Sequence, residues 1–308
     1  MSQRRIAFIS LLLLSTLASA CSGIKTRRSL HSEVPGYSES GSANKEGFDF
    51  GVIDAHLHTG FETPEVRAEF FRQLKAAGVV GAVAHTGDNG QRDYDDLQTS
   101  GVIHCFGVGS KFTKAEHELL DRGLKSGKFS CIKIYLGYIP RYATDPVYKP
   151  AYELAEKYNV PVVFHTGDTL DRDGKVKFAD PLTIDEVAVD HRKITFVIAH
   201  CGNPWIESAA EVAYKNQNVY LDGSAFLIGD LSKMPREKIE DYVVKPLRWV
   251  FGYVEDPTKL MFGSDWPLTS ISQYLEAFKQ AIPKEHWRAV FRENALRVFP
   301  KLQSVKLN

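Results

Sequence analysis

Eight short apolar runs recur along this chain, and their spacing constrains the fold more than any other feature. They read GVIDAHLH (51–58), GVVGAVAHTG (78–87), GVIHCFGVG (101–109), FSCIKIYLG (129–137), VPVVFHTGD (160–168), KITFVIAHCG (193–202), NVYLDGSAF (218–226) and KLMFGSDWP (259–267). Each is hydrophobic almost without interruption instead of alternating, the pattern of parallel strands covered on both faces. Between them lie stretches of helical spacing. In TPEVRAEFFRQLKAAG (63–78), Val66, Phe70, Leu74 and Ala77 repeat every three or four residues, and in DPVYKPAYELAEKYN (145–159) Tyr148, Tyr152 and Ala155 do the same. Thr63-Pro64, Asp145-Pro146 and Asn203-Pro204 supply helix start signals. Eight strand–helix units in about 260 residues predict a (β/α)₈ barrel, the TIM-barrel architecture, at its usual size. A doubly wound open sheet is the competing fold, but no GxGxxG or P-loop follows any run.

The chemistry-bearing residues fall where a barrel would gather them. His56, His58, Lys133, His165, His200 and Asp265 all lie at or near the C-terminal ends of expected strands, and in a barrel these ends converge on one mouth. His56 and His58 are two apart on one strand, so both imidazoles project to one face and can share an ion. Lys133 stands between Ile132 and Ile134, which should face the helices. It is therefore expected to point into the barrel with Cys131 and Tyr135, where an ammonium needs a partner.

HLH on the first strand, VFHTGD on the fifth, AHCGNP on the sixth and FGSDWP on the eighth resemble the amidohydrolase superfamily. IKIY followed by PVVFHTG, and the closing ENALRVF, are similar to its amidohydrolase-related, metal-dependent branch, which also contains decarboxylases and lactonases. The resemblance covers about residues 50 to 300. It implies that His56, His58, His165 and Asp265 ligate a divalent metal, while His200 holds a second ion or contacts substrate. It also implies that Asp265 and His200 are the catalytic pair, with Lys133 either a bridging carbamate between two ions or a free ammonium at a mononuclear site. Imidazole and carboxylate ligands suit Zn²⁺, one or two ions per chain, with Mn²⁺, Fe²⁺ and Ni²⁺ also compatible. A divalent ion with an open position would give an activated water near neutral pH, with Asp265 relaying its proton and His200 polarising a carbonyl or orienting the nucleophile.

Other groups carry plainer expectations. Arg141, Tyr138 and Tyr142 follow the fourth strand, where loops contact substrate, and Arg141 and Tyr138 are the substrate-binding candidates. His85 and His104 are read as structural hydrogen-bonding residues, Trp205 and Trp266 as lid or packing residues, and Asp54 as support for the first strand by fixing its backbone or its ligands. For Lys133 the plain alternative is a structural pair with a neighbouring carboxylate.

Residues 1–21, MSQRRIAFISLLLLSTLASAC, place Arg4 and Arg5 before an apolar run that ends in small residues, the layout of a secretory signal. Cys21 directly after Ala18, Ser19 and Ala20 reads as the first mature, lipidated residue of a lipoprotein. A Ser- and Gly-rich linker (22–47) then leads into the barrel domain (48–308). The expected location is outside the cytoplasm, anchored by Cys21 and facing the periplasm or cell exterior, or else soluble in the periplasm. Cys105, Cys131 and Cys201 sit in apolar runs without CxxC spacing and are expected to be buried and reduced. Lys plus Arg and Asp plus Glu both total 38, so nucleic acid is not an expected partner and a small molecule is. The expected activity is hydrolysis of a small amide, cyclic amide, ester or lactone. Non-oxidative decarboxylation of a small carboxylic acid is the alternative, and a non-catalytic surface protein the third reading.

Overall fold

The computed structural model describes residues 47–60, 63–85 and 101–304. The signal, Cys21 and almost all of the linker lie outside the described residues. All eight apolar runs contain a strand: β1 (Val52–Leu57), β2 (Val79–His85), β3 (Val102–Val108), β4 (Cys131–Tyr135), β5 (Val162–His165), β6 (Phe196–Ile198), β7 (Val219–Asp222) and β8 (Leu260–Met261). Neighbours pair in parallel in chain order from β1 to β8. The ring closes through backbone bonds from Ala55 N–H to the Phe262 carbonyl and from His58 N–H to the Trp266 carbonyl. This is a (β/α)₈ barrel.

The helices that cover it are α1 (Pro64–Ala76), α2 (Lys114–Ser126), α3 (Lys149–Tyr158), α4 (Leu182–Asp190), α5 (Ile206–Lys215), α6 (Arg236–Ile239), α7 (Lys245–Val254), α8 (Ile271–Lys279) and α9 (Asn294–Val298). Thr63 caps α1 by accepting from Val66 N–H, and a reciprocal Thr113–Glu116 capping box starts α2, each cap contributing about 1 kcal/mol. Asp145 caps the single turn that leads into α3, as its Asp-Pro signal predicts. Asn203-Pro204 behaves differently from its expected role. It is a cis peptide, and α5 begins two residues later at Ile206.

Side chains sort as the near-continuous runs require. Ile132 and Ile134 pack outward in the layer between strands and helices, together with Val162, Phe164, Phe196 and Ile198. Ile53, Val83, Ile103, Cys105, Cys131, Val163, Val197 and Met261 fill the barrel interior with Ala295, Val298, Phe299 and Leu302. Asn294 Nδ2 donates to the Pro257 and Leu260 carbonyls and Arg292 Nη1 to that of Gly51. The C-terminal segment is thus fastened where β8 and β1 begin, and the lower end of the barrel is plugged. Only the opposite end is open to chemistry.

One expectation about cysteine is overturned. Cys105 and Cys131 face each other in the β3–β4 ladder with Cα atoms 4.3 Å apart, and they form a disulfide across 26 residues. Spacing along the chain could not show this, because the pairing depends on strand register. Cys201 is free and buried, as expected.

Candidate metal centre

The strand ends bring His56, His58, Lys133, His165, His200 and Asp265 to one cavity of about 190 Å³. Several backbone devices put them there. His200 and Asp265 both sit in the left-handed region at φ 60°, which turns each side chain off the end of its strand. Asp54 Oδ1 accepts from His56 N–H at 3.1 Å and Ser264 N–H at 3.0 Å, so this buried carboxyl fixes the backbone of β1 against the β8 end. Gly263 is required between them: a Cβ there would lie 2.8 Å from that of His56.

Three imidazoles are oriented through Nδ1. His56 Nδ1–H donates to Asp222 Oδ2 at 2.8 Å, and His165 Nδ1–H to the Leu136 carbonyl at 2.9 Å. His200 Nδ1 lies 2.8 Å from Ser224 Oγ. For His56 and His165, whose Nδ1 partners can only accept, Nε2 at the ring tip keeps its lone pair, the arrangement that prepares a histidine for a metal. His56 Nε2 lies 3.5 Å from Asp265 Oδ1, both atoms are buried, and neither makes a hydrogen bond among the described residues. His58 Nε2 is 3.2 Å from the same oxygen. Orphaned buried donor atoms are costly unless something bridges them. His56, His58 and Asp265 thus fit a divalent cation.

The protonation states agree. Burial, and secondarily Lys133, hold His56 well below the usual histidine range. Burial followed by His200 and Lys133 does the same for His165, and burial also lowers His200. Burial alone would raise the Asp265 carboxyl, but contact with His58 and the fields of His200 and His56 outweigh it, holding Asp265 well below the ordinary carboxylate range. Neutral imidazoles around an ionised carboxylate are ligands in their binding form.

Lys133 points into the barrel beneath this cluster, as expected from its flanking isoleucines. It is fully buried, and among the described residues its Nζ has no hydrogen-bond partner and no carboxylate within 4.0 Å. Among the described residues it therefore forms no structural pair with a carboxylate. Burial pulls its pKa from 10.5 down to about 8, with Asp222 and Asp265 opposing. Between those values the unfolded chain keeps a proton that the folded chain has shed, so stability rises with pH across that window. Metal-free protein should gain up to about 1.4 kcal/mol per pH unit there, measured by urea unfolding. Lys133→Met should remove that rise and be the more stable chain near neutral pH. An unchanged slope in Lys133→Met would show that the buried amine is not its source.

Tyr138 lines the cavity, set edge-on to His165 with ring centroids 4.6 Å apart and its hydroxyl accepting from Leu170 N–H. Arg141 does not line it. Its guanidinium is committed to Asp145 Oδ2 at 2.7 Å and the Ser110 carbonyl at 3.1 Å. His85 packs on His56, ring centroids 4.1 Å apart, and its Nε2–H donates to the Ala55 carbonyl, which fits the structural role expected of it. Trp266 is a packing residue against Phe70. Asp222 and Ser224 were not singled out from the sequence, although LDGS ends an apolar run just as the other site segments do.

The sequence family described as Amidohydrolase matches residues 53–301. The chain belongs to the amidohydrolase family. Membership supports an enzyme, and the family is metal-dependent. Among solved structures this chain is similar to an uncharacterized TIM-barrel protein, Bb4693 from Bordetella bronchiseptica, at 18% identity and a TM-score of 0.61 over 82% of this chain and 100% of that one. It is also similar to an amidohydrolase (cog3618) from Burkholderia multivorans with bound zinc, at 13% identity and TM-score 0.58 over 82% and 99% of the two chains. A third is a dihydroxybenzoic acid decarboxylase from Polaromonas sp. JS666 with bound manganese and an inhibitor, at 14% identity and TM-score 0.59 over 81% and 97%. At these identities the likeness establishes the fold. No curated protein matches.

Proposed function

We propose that this member of the amidohydrolase family is a metal-dependent hydrolase of a small amide, cyclic amide, ester or lactone. The observation that carries the reading is the gathering of imidazoles fixed at Nδ1, those of His56, His165 and His200, in one cavity with the buried Asp265 oxygen that the ring tips of His56 and His58 face. His56, His58, His165 and Asp265 would hold a first divalent ion, and His200 a second, with a carboxylated Lys133 between them. An amine with a pKa of about 8 keeps a useful unprotonated fraction near neutral pH, the form that takes up carbon dioxide. Zinc suits this set, and manganese is compatible. The ions would supply Lewis-acid activation of water and of the substrate carbonyl.

The protein's own groups do the rest. Asp265, held ionised, accepts the proton of the attacking water at a carboxylate oxygen and returns it to the departing nitrogen or oxygen. Tyr138 forms one wall, and Leu170, Phe226, Leu227, Ile228 and Leu268 offer an apolar wall. That suits a compact substrate with a polar head and an apolar body. The reading includes export. A disulfide inside the barrel is the state of cysteine in an oxidising compartment, in keeping with a signal at residues 1–21 and lipidation at Cys21.

Decarboxylation is the second reading, favoured by one feature: a buried ammonium at Lys133, with no hydrogen-bond partner among the described residues, would be a counterion for a substrate carboxylate. The test is metal content of the full-length chain by elemental analysis, with the mass of the Lys133 peptide under conditions that preserve a carbamate. Lactones, cyclic amides, esters and aromatic carboxylic acids would be assayed in parallel. Two ions, a carboxylated lysine and turnover of a lactone or amide are expected. One ion, an unmodified lysine and carbon dioxide release would establish the second reading, and a chain that binds no divalent ion would sink both.

A further inference from the structure

We propose that Ser224 is a positioning residue which, together with Asp222, locks His200 in the Nδ1–H tautomer, so that its Nε2 presents only a lone pair to the cavity. Asp222, at the end of β7, is fully buried. Its Oδ2 accepts from His56 Nδ1–H. Its Oδ1 accepts from the backbone N–H of His200 at 3.2 Å, the backbone N–H of Ser224 at 3.1 Å, and the Ser224 hydroxyl. Asp222 is the acceptor toward every N–H that it meets, and in its contact with Ser224 the hydroxyl is the donor, so the Ser224 proton is committed to Asp222. Ser224 Oγ, 2.8 Å from His200 Nδ1, has only a lone pair left to offer on that side. The proton between them must therefore belong to His200, on Nδ1.

The geometry ties the tautomer to the backbone. His200 is held at φ 60°, ψ 17°, a conformation costly for a residue with a Cβ, and the carboxylate that receives its N–H also terminates the side-chain relay. One carboxylate thus orients two histidines, His56 directly and His200 through a hydroxyl. A histidine so fixed cannot donate from Nε2 to a substrate carbonyl. This excludes, for the neutral ring, the carbonyl-polarising role that the sequence leaves open. What faces Nε2 must be a cation or a hydrogen-bond donor. The assignment of that lone pair to a second ion rests on the hydrolase reading, whereas the tautomer itself does not.

The test uses the full-length chain labelled with [¹⁵N]histidine, stripped of metal by chelator and held at mildly alkaline pH. Two-bond proton–nitrogen spectra then report which ring nitrogen carries the proton, the His200 signals being those lost in His200→Asn. The wild-type chain should show Nδ1–H. Ser224→Ala should move His200 toward the Nε2–H form that an unconstrained imidazole favours in water, and Ser224→Thr, which keeps the hydroxyl, should restore Nδ1–H. Zinc titrated into the same samples should bind about 10–100-fold more weakly at the second site in Ser224→Ala, with Ser224→Thr near wild type. An Nε2–H proton on His200 in the wild-type chain, or an unchanged Nδ1–H signal in Ser224→Ala, would overturn the proposal. Absence of zinc binding in the wild-type chain would instead strike the hydrolase reading and leave the tautomer result intact.

Discussion

Asp265→Asn is expected to leave the barrel folded and to abolish tight divalent-metal binding. Asparagine nearly matches aspartate in shape and tolerates the left-handed backbone at this position. The backbone bonds from Asp265 N–H to the His56 carbonyl and from Leu268 N–H to the Asp265 carbonyl involve no side-chain charge. What the substitution removes is the only carboxylate in the His56–His58–Asp265 group. Loss of a ligand should cost more than the roughly 10–100-fold associated with loss of an outer partner. Where hydrolysis is measurable, the rate should fall about 10²–10⁴-fold, since the proton acceptor goes as well. Thermal unfolding with and without zinc reads the binding directly. At about 100-fold excess over its dissociation constant zinc contributes about 2.7 kcal/mol, which in a domain of this size raises the wild-type midpoint by about 5–10 °C. The variant should show no such rise. A full zinc-induced shift in Asp265→Asn would mean that the metal sits elsewhere.

Breaking the Cys105–Cys131 bond should produce a large loss of stability remote from the cavity mouth. Cross-linking residues 26 apart removes chain entropy from the unfolded state worth about 3–4 kcal/mol at 25 °C. The double variant Cys105→Ala, Cys131→Ala should lose that much, plus a smaller packing contribution, because both side chains are wholly buried in the interior layer. A midpoint lower by roughly 6–15 °C is expected by calorimetry. The mass of protein alkylated after denaturation without reductant provides the companion check: Cys105 and Cys131 should resist labelling while Cys201 reacts. Alkylation of all three would show that the pair is reduced, and the stability loss should then shrink to the packing contribution alone.

The barrel was legible because its signal is periodic and redundant. Each strand run carries its own apolar block, and the helical spacing of Val66, Phe70 and Leu74 or of Tyr148 and Tyr152 identifies the covering elements between them. The inward direction of Lys133 followed from alternation alone, since Ile132 and Ile134 could only face the helices. The cluster at the strand ends was legible for the same reason: a barrel brings every strand C-terminus to one mouth, so His56, His58, His165, His200 and Asp265 meet there whatever loops separate them.

The Cys105–Cys131 pair, the engagement of Arg141 with Asp145, and the relay from Asp222 through Ser224 to His200 were not legible. Each depends on register, rotamer or loop path. A one-residue slip between β3 and β4 would separate the cysteines. The guanidinium of Arg141 is held by Asp145 and the Ser110 carbonyl instead. Asp222 carries no motif of its own, and its role exists only because β7 stands beside β6, so that its carboxylate bonds the His56 ring directly and reaches the His200 ring through the Ser224 hydroxyl. Patterns of hydrophobicity thus determined the fold and which strand ends meet at the mouth, because burial acts residue by residue and repeats along the chain. Only the tertiary structure decided which donor meets which acceptor, because hydrogen bonds and disulfides depend on separations of a few tenths of an ångström between residues far apart in sequence.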